Sequence, residues 1–70
     1  MLFTDVSAER AVRALGKAGF VVVRSAKHLV LSDGNRLLTV PRHKRLNPYT
    51  LRSIIRDAGL SSERFRDLLK

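Results

Sequence analysis

The middle of this 70-residue chain alternates short β-prone runs with turn-forming residues, and this pattern restricts the fold more than any other feature. Residues 20–24, 27–32 and 36–40 are rich in β-branched and other apolar side chains, and each run is too short to be a helix. Asp33-Gly34-Asn35 is a strong hairpin signal, and Ser25-Ala26 makes a short turn between the first two runs. The sequence therefore predicts three consecutive antiparallel strands.

Helical patterns flank the predicted strands on both sides. Ser7 is a favourable N-cap for a first helix that Gly19 would end, because glycine readily adopts the left-handed conformation that follows a helix. Asn47-Pro48 is a typical start for a second helix, which Gly59 would end, and Ser61 can cap a short third helix. The apolar positions at helical spacing are Ala8, Ala11, Val12 and Leu15 in the first helix, Leu51, Ile54, Ile55 and Ala58 in the second, and Phe65, Leu68 and Leu69 in the third.

Two amphipathic helices can cover one face of a three-stranded sheet and leave the other face open. The predicted fold class is therefore α+β: a three-stranded antiparallel sheet packed on helices in the order α-β-β-β-α, with a short extra C-terminal helix. This is the order found in double-stranded RNA-binding domains, a likeness of topology that does not establish function. A chain of this length has room for one domain with one small core, which we place at residues 1–70.

The composition excludes several classes of protein. The chain has no cysteine, so it has no disulfide framework, no thiolate nucleophile and no cysteine-containing zinc site. Its apolar runs are too short to span a bilayer, and its N-terminus lacks the apolar core of a signal peptide. We therefore expect a soluble, cytoplasmic protein with no membrane partner.

The charge balance indicates the first class of partner to consider. Fourteen Lys and Arg residues against six Asp and Glu residues give a formal net charge of +8. So high a positive charge on a small surface favours binding to a polyanion. The alternative is that the charge only maintains solubility. Clustering of basic residues between positions 42 and 56 favours nucleic-acid binding over that alternative.

His28 is the candidate for proton chemistry at neutral pH. Strand alternation separates it from Leu29 and Leu31, so it would lie on the open face if the leucines face the helices. RNA carries its own nucleophile in the 2′-hydroxyl group, so a ribonuclease must mainly move protons and stabilise charge on phosphorus. A histidine with cationic neighbours can cover much of that chemistry. The sequence suggests three such neighbours for His28, namely Lys27, Arg24 and Arg36. The alternative is that His28 is an ordinary polar strand residue.

The remaining candidate residues would bind the RNA. His43 is more consistent with phosphate contact or a structural role than with acid catalysis, which is the alternative role. A solvated surface is the other interpretation of the charged residues on the second helix. The full set of RNA-binding candidates is Arg24, Lys27, Arg36, Arg42, His43, Lys44, Arg45, Tyr49, Arg52 and Arg56.

Other catalytic arrangements are missing from the sequence. The carboxylates form no close pair with a histidine at metal-ligand spacing, so we expect neither a metal site nor a metal-dependent nuclease. No serine lies in a strand-turn-helix elbow. Asp33-Gly34-Asn35 has a single glycine and cannot form a phosphate loop. We expect no small-molecule cofactor.

Several short motifs, in their order along the chain, resemble the HicA-like (YcfA-like) toxin family. The resemblance covers nearly the whole chain. The motifs are Gly19-Phe20 after a capped helix, a basic strand end leading to His28, Asp33-Gly34 in the hairpin, Val40-Pro41-Arg42-His43, Leu51-Arg52-Ser53-Ile54-Ile55 and Ala58-Gly59-Leu60.

The resemblance implies a double-stranded RNA-binding-like fold and the toxin of a type II toxin–antitoxin pair. Such a toxin is an mRNA interferase, an endoribonuclease that cleaves mRNA without a metal, and its partner is an antitoxin of the HicB type that covers the active site. By position, His28 matches the catalytic histidine of the family. The chain departs from the family pattern at Ala26-Lys27, where the family usually has Gly-Ser.

Three hypotheses follow from these observations. The first is a ribonuclease toxin with His28 as general acid/base and basic residues that bind mRNA. The second is a non-catalytic RNA-binding module of the same fold. The third is a domain that acts mainly through a protein partner, its positive charge matching an acidic antitoxin surface.

Overall fold

The computed structural model describes residues 2–70, and within that range the chain forms three helices and three strands. Met1, the first residue of the predicted domain, lies outside the described residues. The elements are α1 (Ala8–Lys17), β1 (Val21–Ser25), β2 (His28–Ser32), β3 (Leu37–Pro41), α2 (Pro48–Asp57) and α3 (Ser62–Leu68). The strands form an antiparallel sheet in the order β1-β2-β3. This confirms the predicted α+β fold with its short third helix.

The helix boundaries follow from local hydrogen bonds. The Ser7 and Ser61 hydroxyl oxygens each accept a bond of 3.1 Å from a backbone N–H three residues ahead. The side-chain oxygen of Asn47 accepts bonds from the first turn of α2 at 2.9 and 3.3 Å. Gly19 and Gly59 follow α1 and α2 with φ angles of 100° and 76°, a conformation that side-chain-bearing residues rarely adopt. All three predicted caps and both predicted helix ends are confirmed.

The core lies between the helices and one face of the sheet. Leu31, Leu38 and Val40 are buried there, with Leu29 partly buried. The predicted apolar stripe of α2 is buried, whereas in α1 Ala14 is buried and Val12 is only half-buried. Other buried residues are Val6, Phe20, Phe65 and Leu68. Among the residues that the structure describes, none with a polar or charged side chain is buried.

Leu46 is fully buried although it follows four basic residues in the segment between β3 and α2. Its backbone N–H donates to the Val6 carbonyl at 2.8 Å, and the Ala8 N–H donates to the His43 carbonyl at 2.9 Å. This charged loop is therefore attached to the N-terminal part of the chain at two backbone positions. One apolar side chain anchors it to the core.

The pairing of β1 with β2 contains one irregularity. Val22 pairs with Leu31, but Arg24 pairs with Val30, so Val23 is an extra residue in β1. This is the pattern of a β-bulge. The pairing of β2 with β3 is regular from His28 to Ser32. All five residues of β1 are exposed, so this strand lies at the margin of the core despite its three valines.

The turn between β2 and β3 is stabilised by the Asp33 carboxylate. Its oxygen accepts hydrogen bonds from the backbone N–H groups of Asn35 at 2.8 Å and Arg36 at 2.7 Å. These bonds, led by the one from Asn35, favour the ionised form and lower the pKa of Asp33 below its usual value of 3.8.

The Asp33→Asn substitution tests this turn. Because the folded state lowers the pKa of Asp33, its carboxylate stabilises the fold above pH 3.8, and that stabilisation is lost as the pH falls through the lower, folded-state pKa. We expect a lower free energy of unfolding for the variant at neutral pH and convergence with the parent in strong acid. Urea unfolding at several pH values measures this. A difference that does not change with pH would contradict the role of the charge.

Two glycine substitutions should change stability in opposite directions. Gly59 has a positive φ, and an added Cβ would lie 3.1 Å from the Arg36 guanidinium carbon, so Gly59→Ala should lower the free energy of unfolding by about 1–2 kcal/mol. Gly16 lies inside α1 with open space around it, so Gly16→Ala should raise that energy by about 0.5–1 kcal/mol. Urea unfolding of both variants measures the two effects. Equal effects would contradict this explanation.

Candidate functional site

His28 is the first residue of β2, and it pairs with Pro41 of β3. Leu29 and Leu31 point toward the helices, so strand alternation places His28 on the opposite, open face of the sheet. Its side chain is exposed there. The imidazole is therefore accessible from solvent.

Two of the predicted cationic neighbours lie beside His28. Arg24 pairs with Val30, so it lies on the open face, diagonal to His28 at a backbone separation of about 7–8 Å. Lys27 immediately precedes His28 in the turn between β1 and β2. Both residues are exposed. This end of the open face therefore combines one imidazole with two positive charges.

Arg36 is not part of this group. It precedes β3 at the end of the sheet opposite to His28, roughly 15 Å away along the strands. Its guanidinium lies against Gly59, beyond the end of α2. The sequence suggested a cationic group of three residues around His28, and the structure brings together only two of them.

The far end of the open face is apolar. Val21 and Leu37 pair with Ser32 from either side, and their side chains are 62% and 72% exposed. Val30 lies between this end and the His28 end. The open face is thus cationic at one end and apolar at the other, a combination suited to contact with both a phosphate chain and a protein.

The loop between β3 and α2 carries four consecutive basic residues, two of which already have partners. The Arg42 guanidinium donates a hydrogen bond to the Ser25 hydroxyl oxygen. Arg45 Nε lies 3.5 Å from an oxygen of Asp5, and both side chains are exposed. Within residues 2–70 the Lys44 side chain makes neither a hydrogen bond nor an ion pair, which leaves its charge available to a ligand.

His43 lies on the other side of the sheet from His28. Together with Arg42 and Lys44 it lines a groove of about 600 Å³ between the start of α1 and the edge of the sheet. The other lining residues are Ser7, Ala8, Glu9, Val12, Val22, Ser25 and Leu29, and His28 is not among them. The structure therefore does not bring the two imidazoles together in this groove.

A second basic surface lies on α2. Tyr49, Arg52 and Arg56 line a groove of about 600 Å³ that continues onto the serines at the start of α3. Tyr49 is 65% exposed, and Arg56 Nε lies 3.7 Å from an Asp57 oxygen in an exposed ion pair. This groove is on the helical side of the protein, so the predicted RNA-binding residues fall on two separate surfaces.

No group of three or more His, Cys, Asp or Glu side chains is arranged to hold a metal ion in the described part of the chain. No described helix has the length and apolar character needed to cross a membrane.

Sequence reasoning did not identify Val23 as the extra residue of a bulge or Ser25 as the hydrogen-bond partner of Arg42. Nothing in the residue types of β1 marks a bulge, because Val23 is one of three consecutive valines. Ser25 was interpreted only as a turn residue, and its bond to Arg42 joins positions 17 residues apart in the sequence. A signal was present in the turn, because Ala26-Lys27 lacks the glycine or asparagine that a two-residue hairpin turn favours.

Comparison with known proteins gives a family for this fold and site. The family described as the HicA toxin of bacterial toxin–antitoxin matches residues 8–60, from the first residue of α1 to the residue after Gly59. The matched segment contains the whole sheet and every predicted site residue. A search of curated protein sequences finds no match. Because the family match covers most of the chain, the protein belongs to the HicA toxin family and is the toxin of a toxin–antitoxin module, with a cognate antitoxin as its partner.

Proposed function

We propose that this toxin is an endoribonuclease that cleaves mRNA without a metal ion, with His28 as the general acid/base. HicA toxins are generally ribonucleases. The observation that supports the proposal for this chain is the grouping of His28, Arg24 and Lys27 at one end of the open face, where all three side chains are exposed.

The chemistry needs few groups from the protein. Neutral His28 accepts the proton of a ribose 2′-hydroxyl, whose oxygen attacks the adjacent phosphorus as the bond to the 5′-oxygen breaks. The leaving oxygen takes a proton from the resulting imidazolium or from water. Arg24 and Lys27 offset the negative charge on the phosphoryl oxygens. The products are a cyclic phosphate and a free 5′-hydroxyl group.

Basic residues outside this group supply affinity for the RNA chain. Lys44 and Arg45 precede the N-terminus of α2, where backbone N–H groups and the helix dipole also favour phosphate. Arg52 and Arg56 extend the positive surface along α2, and exposed Tyr49 offers one ring for base stacking. Arg36 and His43, one near the far end of the sheet and one on its helical side, would contact phosphates distant from the cleaved bond.

The antitoxin partner is proposed to be of the HicB type and to cover the open face. Exposed Val21 and Leu37 on that face can be buried by a protein but gain little from RNA phosphates. The charge of +8 favours an acidic partner. Such a partner would hide His28 together with the apolar end of the face and thereby inhibit cleavage.

The His28→Ala variant tests the catalytic proposal. Loss of the general acid/base should lower the rate of RNA cleavage at least about a hundredfold in excess chelator, while the fold is retained because His28 is exposed. The measurement is gel analysis of labelled single-stranded RNA, with the chemistry of the product ends determined. His43→Ala is the matched control for loss of an imidazole, and it should keep its turnover at saturating RNA. Equal cleavage by the parent and His28→Ala would refute the proposal.

The double variant Lys44→Ala/Arg45→Ala tests the RNA-binding surface. Loss of two phosphate contacts should weaken RNA binding and reduce the slope of log affinity against log salt by about one to two. Affinity is measured at several salt concentrations with His28→Ala protein, so that the RNA stays intact. Arg13→Ala/Arg64→Ala removes the same charge from α1 and α3 as a control. Identical salt slopes for the two double variants would exclude this loop from the interface.

The second candidate function is a non-catalytic RNA-binding module of the same fold. The observation in its favour is Ala26-Lys27 directly before His28, where the family usually has a small Gly-Ser pair. A parent protein that binds RNA with a steep salt dependence but cleaves none would favour this function. A flat salt response would instead indicate a domain that acts mainly through its protein partner.

A further inference from the structure

The β-bulge at Val23 decides which face Arg24 occupies. Side chains alternate along a strand, so in a regular ladder continuing from the Val22–Leu31 pair, Arg24 would pair with Leu29 on the helical side. The extra residue makes Arg24 pair with Val30 instead, on the open face with His28. The same shift moves Ser25 from the open face to the helical side, where it pairs with Leu29.

The hydrogen bond between Arg42 and Ser25 forms on the side of the sheet that Ser25 occupies in the bulged register. Ser25, Leu29 and Val40 form one cross-strand row on the helical side of the sheet. Arg42 follows Val40 by two residues and lines the same groove as Ser25. The bond thus connects β1 to the segment after β3 across the end of the sheet that carries His28.

Two further features disfavour the regular register. It would close the hairpin with Ala26-Lys27 as a two-residue turn, which requires positive φ angles that these residues adopt poorly. Among the described residues, only glycines have a positive φ. The regular register would also bring Arg24 to the side of the sheet where the Arg42 guanidinium lies, and like charges would then approach each other.

We propose that Arg42 and Ser25 are positioning residues whose hydrogen bond locks the bulged register and so keeps Arg24 on the face of His28. Arg42 then affects RNA cleavage through Arg24 and does not itself bind phosphate. This inference rests on the proposed ribonuclease function for its effect on rate, but the register itself is a property of the fold.

The register is measured directly by NMR on the isotope-labelled full chain. In the parent, cross-strand nuclear Overhauser effects should connect Arg24 with Val30 and Ser25 with Leu29. In Ser25→Ala these contacts should weaken, and contacts between Arg24 and Leu29 should appear. An unchanged set of contacts in a folded Ser25→Ala protein would overturn the proposed lock.

Cleavage kinetics at saturating RNA test the functional half of the inference. Ser25→Ala and Arg42→Ala should each lower kcat by roughly ten- to a hundredfold, because a displaced Arg24 no longer meets the phosphate. Arg42→Lys, which keeps a donor for Ser25, should recover part of the loss. In an Arg24→Ala background Ser25→Ala should cause no further loss. Arg13→Ala controls for the removal of one positive charge.

Deletion of Val23 provides a rescue test. A strand without this residue forms a regular ladder that still pairs Arg24 with Val30 and Ser25 with Leu29, so the lock is no longer needed. Ser25→Ala should therefore have little effect on kcat in the deletion protein. A loss as large as in the full-length chain would overturn the inference, since Ser25 would then act by some means other than register.

The two readouts separate this inference from the proposed function. If the parent cleaves no RNA, the ribonuclease proposal fails, and the NMR comparison still decides whether Arg42 and Ser25 set the register. If the parent cleaves RNA and Arg42→Ala weakens RNA binding while Ser25→Ala changes neither register nor kcat, Arg42 is a phosphate ligand and the positioning role is refuted.

Discussion

The structure depends on the burial of one face of a small sheet. Two helices of ten residues each are enough to cover Leu31, Leu38 and Val40, but not both faces of the sheet. The hydrophobic effect acts on the covered side, and each fully buried aliphatic side chain contributes about 1.5–3 kcal/mol. The other face of the sheet stays accessible because the described residues form no further element that could cover it. The proposed catalytic histidine occupies this accessible face, so core formation and exposure of the site have the same origin.

Charge is arranged on the outside of this core. No charged side chain is buried among residues 2–70, and the ion pairs there lie at the surface, where each contributes little to stability. The net charge of +8 therefore remains at the surface, where it is available to the proposed anionic partners. The exposed side chains of Val21 and Leu37 are apolar, so they are better suited to contact with a protein partner than with RNA phosphates. One face can thus serve both the proposed RNA substrate and the proposed antitoxin contact.

Local sequence signals predicted the elements well because the relevant interactions are local. Ser7, Asn47 and Ser61 bond to N–H groups within their own first turns, and Asp33 bonds within its own hairpin turn. Strand alternation likewise predicted the open-face position of His28. The same local reasoning failed for Arg36. Arg36 precedes β3, and β3 begins at the end of the sheet opposite to His28 because it runs antiparallel to β2.

The sequence by itself determined the α+β order, the turns, the excess of positive charge and the presence of an imidazole at a strand end. These depend on residue type and on spacing along the chain. Only the tertiary structure decided that Leu46 is an anchor, that Val23 is a bulge, and that His43 lines a groove to which His28 does not contribute. These depend on contacts between residues distant in sequence. Because a one-residue shift in register exchanges the faces of a strand, the placement of Arg24 could come only from the pairing of the folded sheet.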